Sequence, residues 1–402
     1  MEDGRNHPGD AWARDDPKMR RIVYLTDQPL DEWNYDRFGI QTWIDRGWDV
    51  EVWDLTPLAY PRVWRDFIES GRKLHRFDKY FPVARKSELD PKYSQGGKIG
   101  YFIDLAGDDY CSLRVKLSLI RSGAIRVTCS TGLLPVQDKG GLGPRLRRLL
   151  AKGSVQVLKR LTKALVRRLA ELLIKPGLVI VSGQNSFHPD GCETVRAHNL
   201  DYDTYLELEP APAPSEEYAV FIDQDFYCHS DYVREGSPFS VAPSPYFPAV
   251  CKGLRTISAA LKVGLRIAAH PRASSAQRSP DPFEGICVEY GKTAELIRNC
   301  KVVVCHYSTA AQFAVLFKKP VVFVTTDALA SSAVGKYVAD FAAALGKSVI
   351  NLDGDLDRVD WQEELRVDEQ RYDAYRNEYI KIDGSPNIPF WDIVINHIEQ
   401  AA

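Results

Sequence analysis

Residues 301–325 read KVVVCHYSTAAQFAVLFKKPVVFVT. Two β-branched apolar runs, Lys301 to Cys305 and Val321 to Thr325, enclose a helical pattern from Ala310 to Lys318. Short apolar strands alternating with helices are the mark of a parallel-sheet α/β architecture. The same alternation continues upstream, with strands at Tyr218 to Asp223 and Leu265 to Ala269 and helices at Tyr246 to Lys262 and Thr293 to Cys300. Downstream, a helix is expected from Ser331 to Leu345. Residues 217–402 therefore read as one Rossmann-like domain.

The first half repeats the grammar. Arg21 to Thr26 is a strand, Tyr35 to Arg46 a helix closed by Gly47, and Asp49 to Leu55 a second strand, which makes one β-α-β unit. Tyr101 to Leu105, Ala124 to Thr128 and Leu178 to Ser182 supply further strands. Between Leu206 and Glu217 the sequence LELEPAPAPSEE alternates proline with alanine, a semi-rigid extended stretch suited to joining domains. The expected organisation is a disordered tail over 1–17, a first domain over 18–209, a linker over 210–216 and a second domain over 217–402. Closing helices at Trp361 to Ile382 and Pro389 to Glu399 would cross back to the first domain. Two Rossmann-like domains facing a cleft are the layout called GT-B, and ligands of such sheets sit at the carboxyl ends of the strands.

Composition narrows the classes. The chain has 402 residues, room for two large domains, with 45% hydrophobic and 26% charged residues, an ordinary globular mix. Lys plus Arg (52) nearly balances Asp plus Glu (54), so no overall field argues for nucleic acid. The eight cysteines are scattered with no CxxC pair and read as reduced core thiols of a cytoplasmic chain. No apolar window reaches the roughly 18 residues of a membrane span, and the first sixteen residues are polar and acidic. Neither GxxxxGK[ST] nor a complete GxGxxG occurs, so nucleotide hydrolysis and dinucleotide redox chemistry lack their usual motifs.

The strand ends of the second half carry the chemistry: Asp223-Gln224-Asp225, His270-Pro271-Arg272, His306-Tyr307-Ser308-Thr309 and Thr325-Thr326-Asp327. Parallel strands deliver these groups to one crevice. Asp223, Asp225 and Asp231 are the candidate catalytic carboxylates, one of which would deprotonate an acceptor hydroxyl or attack an anomeric carbon. Proline after His270 holds that residue extended, so its ring is aimed out of the strand. His270, Pro271, Arg272, Ser308 and Thr309 are the candidate donor-binding set, with Ser308-Thr309 opening a helix where an anion, or a plain N-cap, fits. A metal held by Asp223, Asp225, His229 and Asp231 matches no standard spacing, and no metal or other cofactor is required. In the first half, His198, Asp201 and Asp203 are candidates for the acceptor side of the cleft, or a capped helix start. Asp27-Gln28 and Arg37-Phe38-Gly39 are further candidates to line it.

Residues 139–175 hold eleven basic side chains and one acid, Glu171, with Leu and Val at helical spacing. A basic amphipathic helix of this kind lies on anionic membrane surfaces, the favoured reading, or binds acidic partners, or is a core helix with a solvated basic face. Nucleic acid is disfavoured as the partner because no aromatic residues interleave the charge.

Asp223 within FIDQD, His270-Pro271 within AAHPRA and Ser308-Thr309 within CHYSTAAQFAVLFKKPVV resemble the acidic, His-Pro and Ser/Thr motifs of bacterial surface-carbohydrate glycosyltransferases, above all the CMP-sugar-dependent sialyl- and Kdo-transferases. IVYLTDQPLDEWNYDRFGIQTWIDRGWDVEVWDLTP and AHNLDYDTYL resemble segments of capsule and O-antigen proteins. The resemblance covers about residues 20 to 330. It implies a GT-B enzyme of lipopolysaccharide or capsule synthesis, peripheral at the inner membrane face, moving a sugar from a CMP-linked donor to a glycan or lipid-linked glycan acceptor. It also implies that the acidic residue is base or nucleophile, that His270 contacts the donor phosphate and that Ser308-Thr309 bind phosphate or cytidine-side groups. Gln224 stands where the sialyltransferase motif has glycine, which leaves the choice among the three aspartates open. The last motif also resembles polyol-phosphate transferases, and the double Rossmann layout is shared with UDP-sugar 2-epimerases. A non-catalytic scaffold of a polysaccharide assembly complex is the alternative outside enzymes.

Overall fold

The computed structural model describes residues 20–94, 97–107, 109–135, 174–208, 217–226, 241–270 and 281–401. It contains two parallel sheets. The first is seven-stranded, in the order β3-β2-β1-β4-β5-β6-β7, with β1 Arg21–Thr26, β2 Asp49–Asp54, β3 Tyr80–Pro82, β4 Tyr101–Asp104, β5 Ile125–Ser130, β6 Leu178–Val181 and β7 Glu193–Arg196. The second is six-stranded, in the order β10-β9-β8-β11-β12-β13, with β8 Tyr218–Ile222, β9 Gly264–Ala268, β10 Cys287–Glu289, β11 Val302–Cys305, β12 Val321–Thr325 and β13 Val349–Asn351. In each sheet the strand order reverses beside the first strand of its domain, between β1 and β4 and between β8 and β11. Such switch points are where loops diverge and leave a crevice.

The apolar runs are unbroken because both sheet faces are covered. Alternate residues of a strand point to opposite faces. Ile22 and Tyr24 of β1 pack with Phe390, Trp391 and Val394 of the last helix, Phe390–Ala401, whereas Val23 and Leu25 pack with Val115 and Leu119 of the helix Tyr110–Arg121. In the second sheet all residues of β8, β11 and β12 are buried.

The final helix therefore belongs to the first domain's core although it follows the second in sequence. It is held by Trp391 Nε1, which donates to Arg37 O at 2.9 Å, and by Arg46, which pairs with Asp392 and Glu399. The segment that carries the chain across, residues 376–382, joins the first domain through main-chain hydrogen bonds. Gln184 N donates to Asn377 O (3.0 Å), Asn185 N to Glu378 O (3.0 Å), Asn199 N to Ile380 O (2.7 Å) and Ile382 N to Ser182 O (2.9 Å). A buried side-chain bridge reinforces this seam. Gln312 of the second domain accepts from Asn199 Nδ2 and donates to Leu133 O at 3.1 Å.

Two expected helices are broken. The stretch from Tyr35 to Arg46 is two helices, Glu32–Arg37 and Ile40–Asp45, parted at Gly39, whose φ of 58° is left-handed and whose missing Cβ makes room for the Trp391 ring. The closing helix expected from Trp361 to Ile382 is divided into Trp361–Glu364, Glu369–Tyr375 and a π-turn, Arg376–Ile380, whose carbonyls turn toward the first domain. The linker 210–216, the tail 1–17 and the basic segment, apart from Ile174 and Lys175, lie outside the described residues.

Gly183 sits in the seam where a Cβ would lie 2.2 Å from Glu378 O and 2.6 Å from Tyr379 N. Both neighbours are main chain and cannot swing aside. Gly183→Ala should cost about 3 kcal/mol through overpacking, read as a lowered midpoint in urea unfolding. A variant with the wild-type midpoint would show that the seam is not close-packed.

Candidate functional site

A cleft of about 750 Å³ opens between the carboxyl edges of the two sheets. Each switch point contributes to it: Thr26, Gln28 and Leu105 from the ends of β1 and β4, and Ile222, Asp223, Ser308 and Thr309 from the ends of β8 and β11. The loop after β4 is fixed from below. Buried Lys116 donates to Ala106 O (3.0 Å) and Gly107 O (3.2 Å) while pairing with Asp104 (3.1 Å), which also pairs with Arg126 (2.6 Å). A buried carboxylate facing two cations keeps its charge paired, and the loop backbone gains two donors.

On the second-domain wall Asp223 stands one residue beyond β8. Its amide donates to Ala268 O at 3.0 Å, and its Oδ1 accepts from Asp225 N at 3.2 Å. That turn is tight: Asp225 has φ 54°, a left-handed conformation in which aspartate is among the few non-glycine residues tolerated. Between them Gln224 does a job the sequence did not reveal. Its Oε1 accepts from Tyr307 N at 2.7 Å and ties the loop carrying Asp223 to the loop carrying Ser308 and Thr309. His270 lines the cleft beyond Ala269, whose amide bonds to Glu289 O at 2.9 Å. Ser308 Oγ accepts from Ala310 N at 3.2 Å and so acts as an N-cap at the cleft wall.

The first-domain wall mixes apolar Trp33, Phe38, Leu105, Leu200 and Trp391 with neutral polar Thr26, Gln28, Asn34, Thr131 and Thr204. Arg37 lies over the Trp33 ring at 4.8 Å and pairs with Asp201 at 3.6 Å.

Of the residues singled out in sequence, Asp223, His270, Ser308, Thr309 and Asp201 therefore share one cleft, with Gln28, Arg37 and Phe38. Asp225 is buried beneath it rather than in its lining. His198 and Asp203 lie elsewhere. His198 is fully buried, with Nδ1 at 3.0 Å from Asn199 O and Nε2 at 2.9 Å from Ile388 O, and Asp203 accepts from Phe390 N at 2.9 Å. Burial draws the His198 pKa down and pushes the Asp203 carboxyl up to about 7, against the pull of the Phe390 amide. Both residues hold the crossing segment instead of facing the cleft. Asp231, His229, Pro271 and Arg272 lie outside the described residues. Among the described residues, no group of three or more His, Cys, Asp and Glu is arranged to hold a metal ion, and no helix is long and apolar enough to cross a membrane. Cys251, Cys300 and Cys305 are buried, but Cys287 is exposed.

Neither a protein-family profile nor a curated protein sequence matches the chain. Solved structures do. The glycotransferase of kitacinnamycin is similar over 96% of this chain and 100% of its own, at 13% identity and a TM-score of 0.50. CalG4, the calicheamicin glycosyltransferase, covers 95% and 98% at 14% identity and a TM-score of 0.49. UDP-GlcNAc 2-epimerase from Methanocaldococcus jannaschii covers 94% and 99% at 9% identity and a TM-score of 0.48. The first of these establishes the architecture as GT-B; at such identities the likeness speaks to the fold alone.

The second strand-end histidine is not in the cleft either. His306 is buried under the second sheet, with Nδ1 at 2.6 Å from Val324 O and Nε2 at 3.0 Å from the Tyr246 hydroxyl. A carbonyl only accepts, so Nδ1 carries the proton and Tyr246 donates to Nε2. Burial lowers its pKa to about 4. Because the folded value is depressed, the unfolded chain takes up the proton first as pH falls below the usual 6.5. Stability is then lost between about pH 6.5 and pH 4, by about 2 kcal/mol at pH 5. His306→Gln should reduce the difference between urea midpoints at pH 7 and pH 5; an unchanged difference would mean that His306 does not drive the acid limb.

Proposed function

We propose that this chain is a glycosyltransferase that moves a sugar from a nucleotide-linked donor to a hydroxyl of a glycan acceptor. The observation that carries the reading is the meeting of Asp223, His270, Ser308 and Thr309, from three different strand ends, in the interdomain cleft of a GT-B fold. The second-domain wall would hold the donor, with His270 and the Ser308-Thr309 turn on its phosphate. Asp223 would take the acceptor proton or attack the anomeric carbon. A nucleotide-linked sugar already carries its leaving group, so the protein must position two reactants, remove one proton and stabilise the departing phosphate. All three tasks fall to side chains at the ends of β8, β9 and β11.

On the sequence resemblance, the donor is a CMP-linked keto-sugar such as Kdo and the product a bacterial surface glycan. Residues 139–175 would bring the enzyme to the anionic inner membrane face. The resemblance motifs and the basic segment support these finer assignments.

A ligand that binds the native state raises its melting temperature. CMP, CDP, UDP, TDP, GDP and ADP should therefore separate the donors, with stabilisation by CMP expected and its loss in His270→Ala or Ser308→Ala. Asp223→Asn should keep nucleotide binding and lower transfer about 100-fold or more. Preference for another nucleotide would overturn the CMP donor and keep the transferase. Release of an isomerised sugar without acceptor would replace it with an epimerase, and no response to any nucleotide would favour a scaffold.

A further inference from the structure

The first-domain half of the cleft has a charge pattern that specifies what it accepts. Among the described residues lining it, the charged side chains are Arg37 and Asp201, and they face each other at 3.6 Å. Both are partly shielded, with about a third of the Arg37 side chain and a fifth of the Asp201 side chain exposed. The surrounding lining is uncharged, with Trp33, Phe38 and Trp391 beside Gln28, Asn34 and Thr204, and the guanidinium itself rests on the Trp33 ring. A cation already opposed by a carboxylate offers little to an anionic ligand, and the carboxylate repels one. A wall of aromatic rings and neutral amides and hydroxyls suits the CH face and the hydroxyls of a neutral sugar or another uncharged ring.

We propose that the Arg37–Asp201 pair neutralises this wall and makes Asp201 a specificity-determining residue, so that the subsite takes an uncharged ring and rejects an anionic one. The inference rests on the transferase reading only in calling this ring the acceptor. An acid in the first turn of a helix suits the helix dipole, but among the described residues the Asp201 carboxylate pairs with Arg37. Asp201 opens the seven-residue helix Asp201–Glu207, yet its side chain faces the cleft and Arg37 rather than capping that helix. Asp203, two residues on, is spent on Phe390 N.

A matched pair of probes reads this directly: 4-nitrophenyl β-glucoside and 4-nitrophenyl β-glucuronide differ by one carboxylate. Binding of each to the full chain is measured by calorimetry at low salt. The wild type should bind the glucoside at least tenfold more tightly. Asp201→Asn, nearly isosteric, should strengthen glucuronide binding at least fivefold with glucoside affinity within twofold. Adding Arg37→Gln to that variant should abolish the gain. Equal or tighter binding of the glucuronide by the wild type would overturn the proposal, as would a parallel shift of both probes in Asp201→Asn or no binding of either at millimolar concentration. The nucleotide series separates this from the transferase reading: selectivity for the glucoside without a response to any nucleotide would leave the subsite standing and remove the transferase.

Discussion

The main-chain seam between residues 182–199 and 376–382 is the constraint on which the rest of the molecule depends. Each sheet has its own core, but the cleft exists only because the two carboxyl edges face each other. Four backbone hydrogen bonds, the close approach at Gly183 and the Asn199–Gln312 bridge set that relation on one side of the cleft. Buried main-chain groups must find partners. The carbonyls of the π-turn Arg376–Ile380 and the loop amides of Gln184 and Asn185 meet that demand across the domain boundary. The last helix then completes the first domain's core, and Tyr202 of the first domain joins the second domain's hydrophobic cluster.

Gln312 links this seam to the chemistry. It begins the helix Gln312–Leu316, directly after the Thr309–Ala311 turn that follows Ser308. Asn199 stands two residues before Asp201. One buried amide pair thus connects the second-domain wall of the cleft to the first-domain wall through short spans. On the second domain, Gln224 plays the corresponding part between the loops of Asp223 and Ser308. Neither glutamine touches the cleft as a ligand would; both set the distance between groups that do.

The architecture was legible because a doubly covered parallel sheet writes itself as apolar runs. All the central strands, β1, β2, β4, β5, β6, β8, β9, β11 and β12, coincide within a residue or two with those runs. The edge and near-edge strands β3, β7, β10 and β13 were not read. They span three or four residues, are partly exposed and carry no continuous apolar stretch, as in Glu193–Arg196 and Cys287–Glu289. Strand ends bring Asp223, His270, Ser308 and Thr309 to the cleft lining but not His306, whose ring turns inward to Tyr246 and Val324. Alternation along a strand decides which face a terminal side chain takes, and register is not visible in a five-residue run. His198 and Asp203 failed for another reason: their partners, Ile388 and Phe390, come from a crossing segment nearly two hundred residues away.

The two walls of the cleft divide the work by their polarity. The second-domain wall gathers a carboxylate, an imidazole and hydroxyls from separate strand ends, the groups that the proposed reading assigns to the donor and the proton transfer. The first-domain wall pairs its own charges and presents rings with neutral polar side chains. Under the proposed transfer, this asymmetry would sort a charged donor and a neutral acceptor to opposite walls. An unpaired guanidinium on the first-domain wall would offer the donor phosphate a second seat, and productive orientation would be lost to competing poses. Pairing Arg37 with Asp201 removes the competing anion site while keeping the guanidinium's plane as a platform beside Trp33. On the proposed reading, electrostatics would then orient the two ligands before any side chain has to act on a bond.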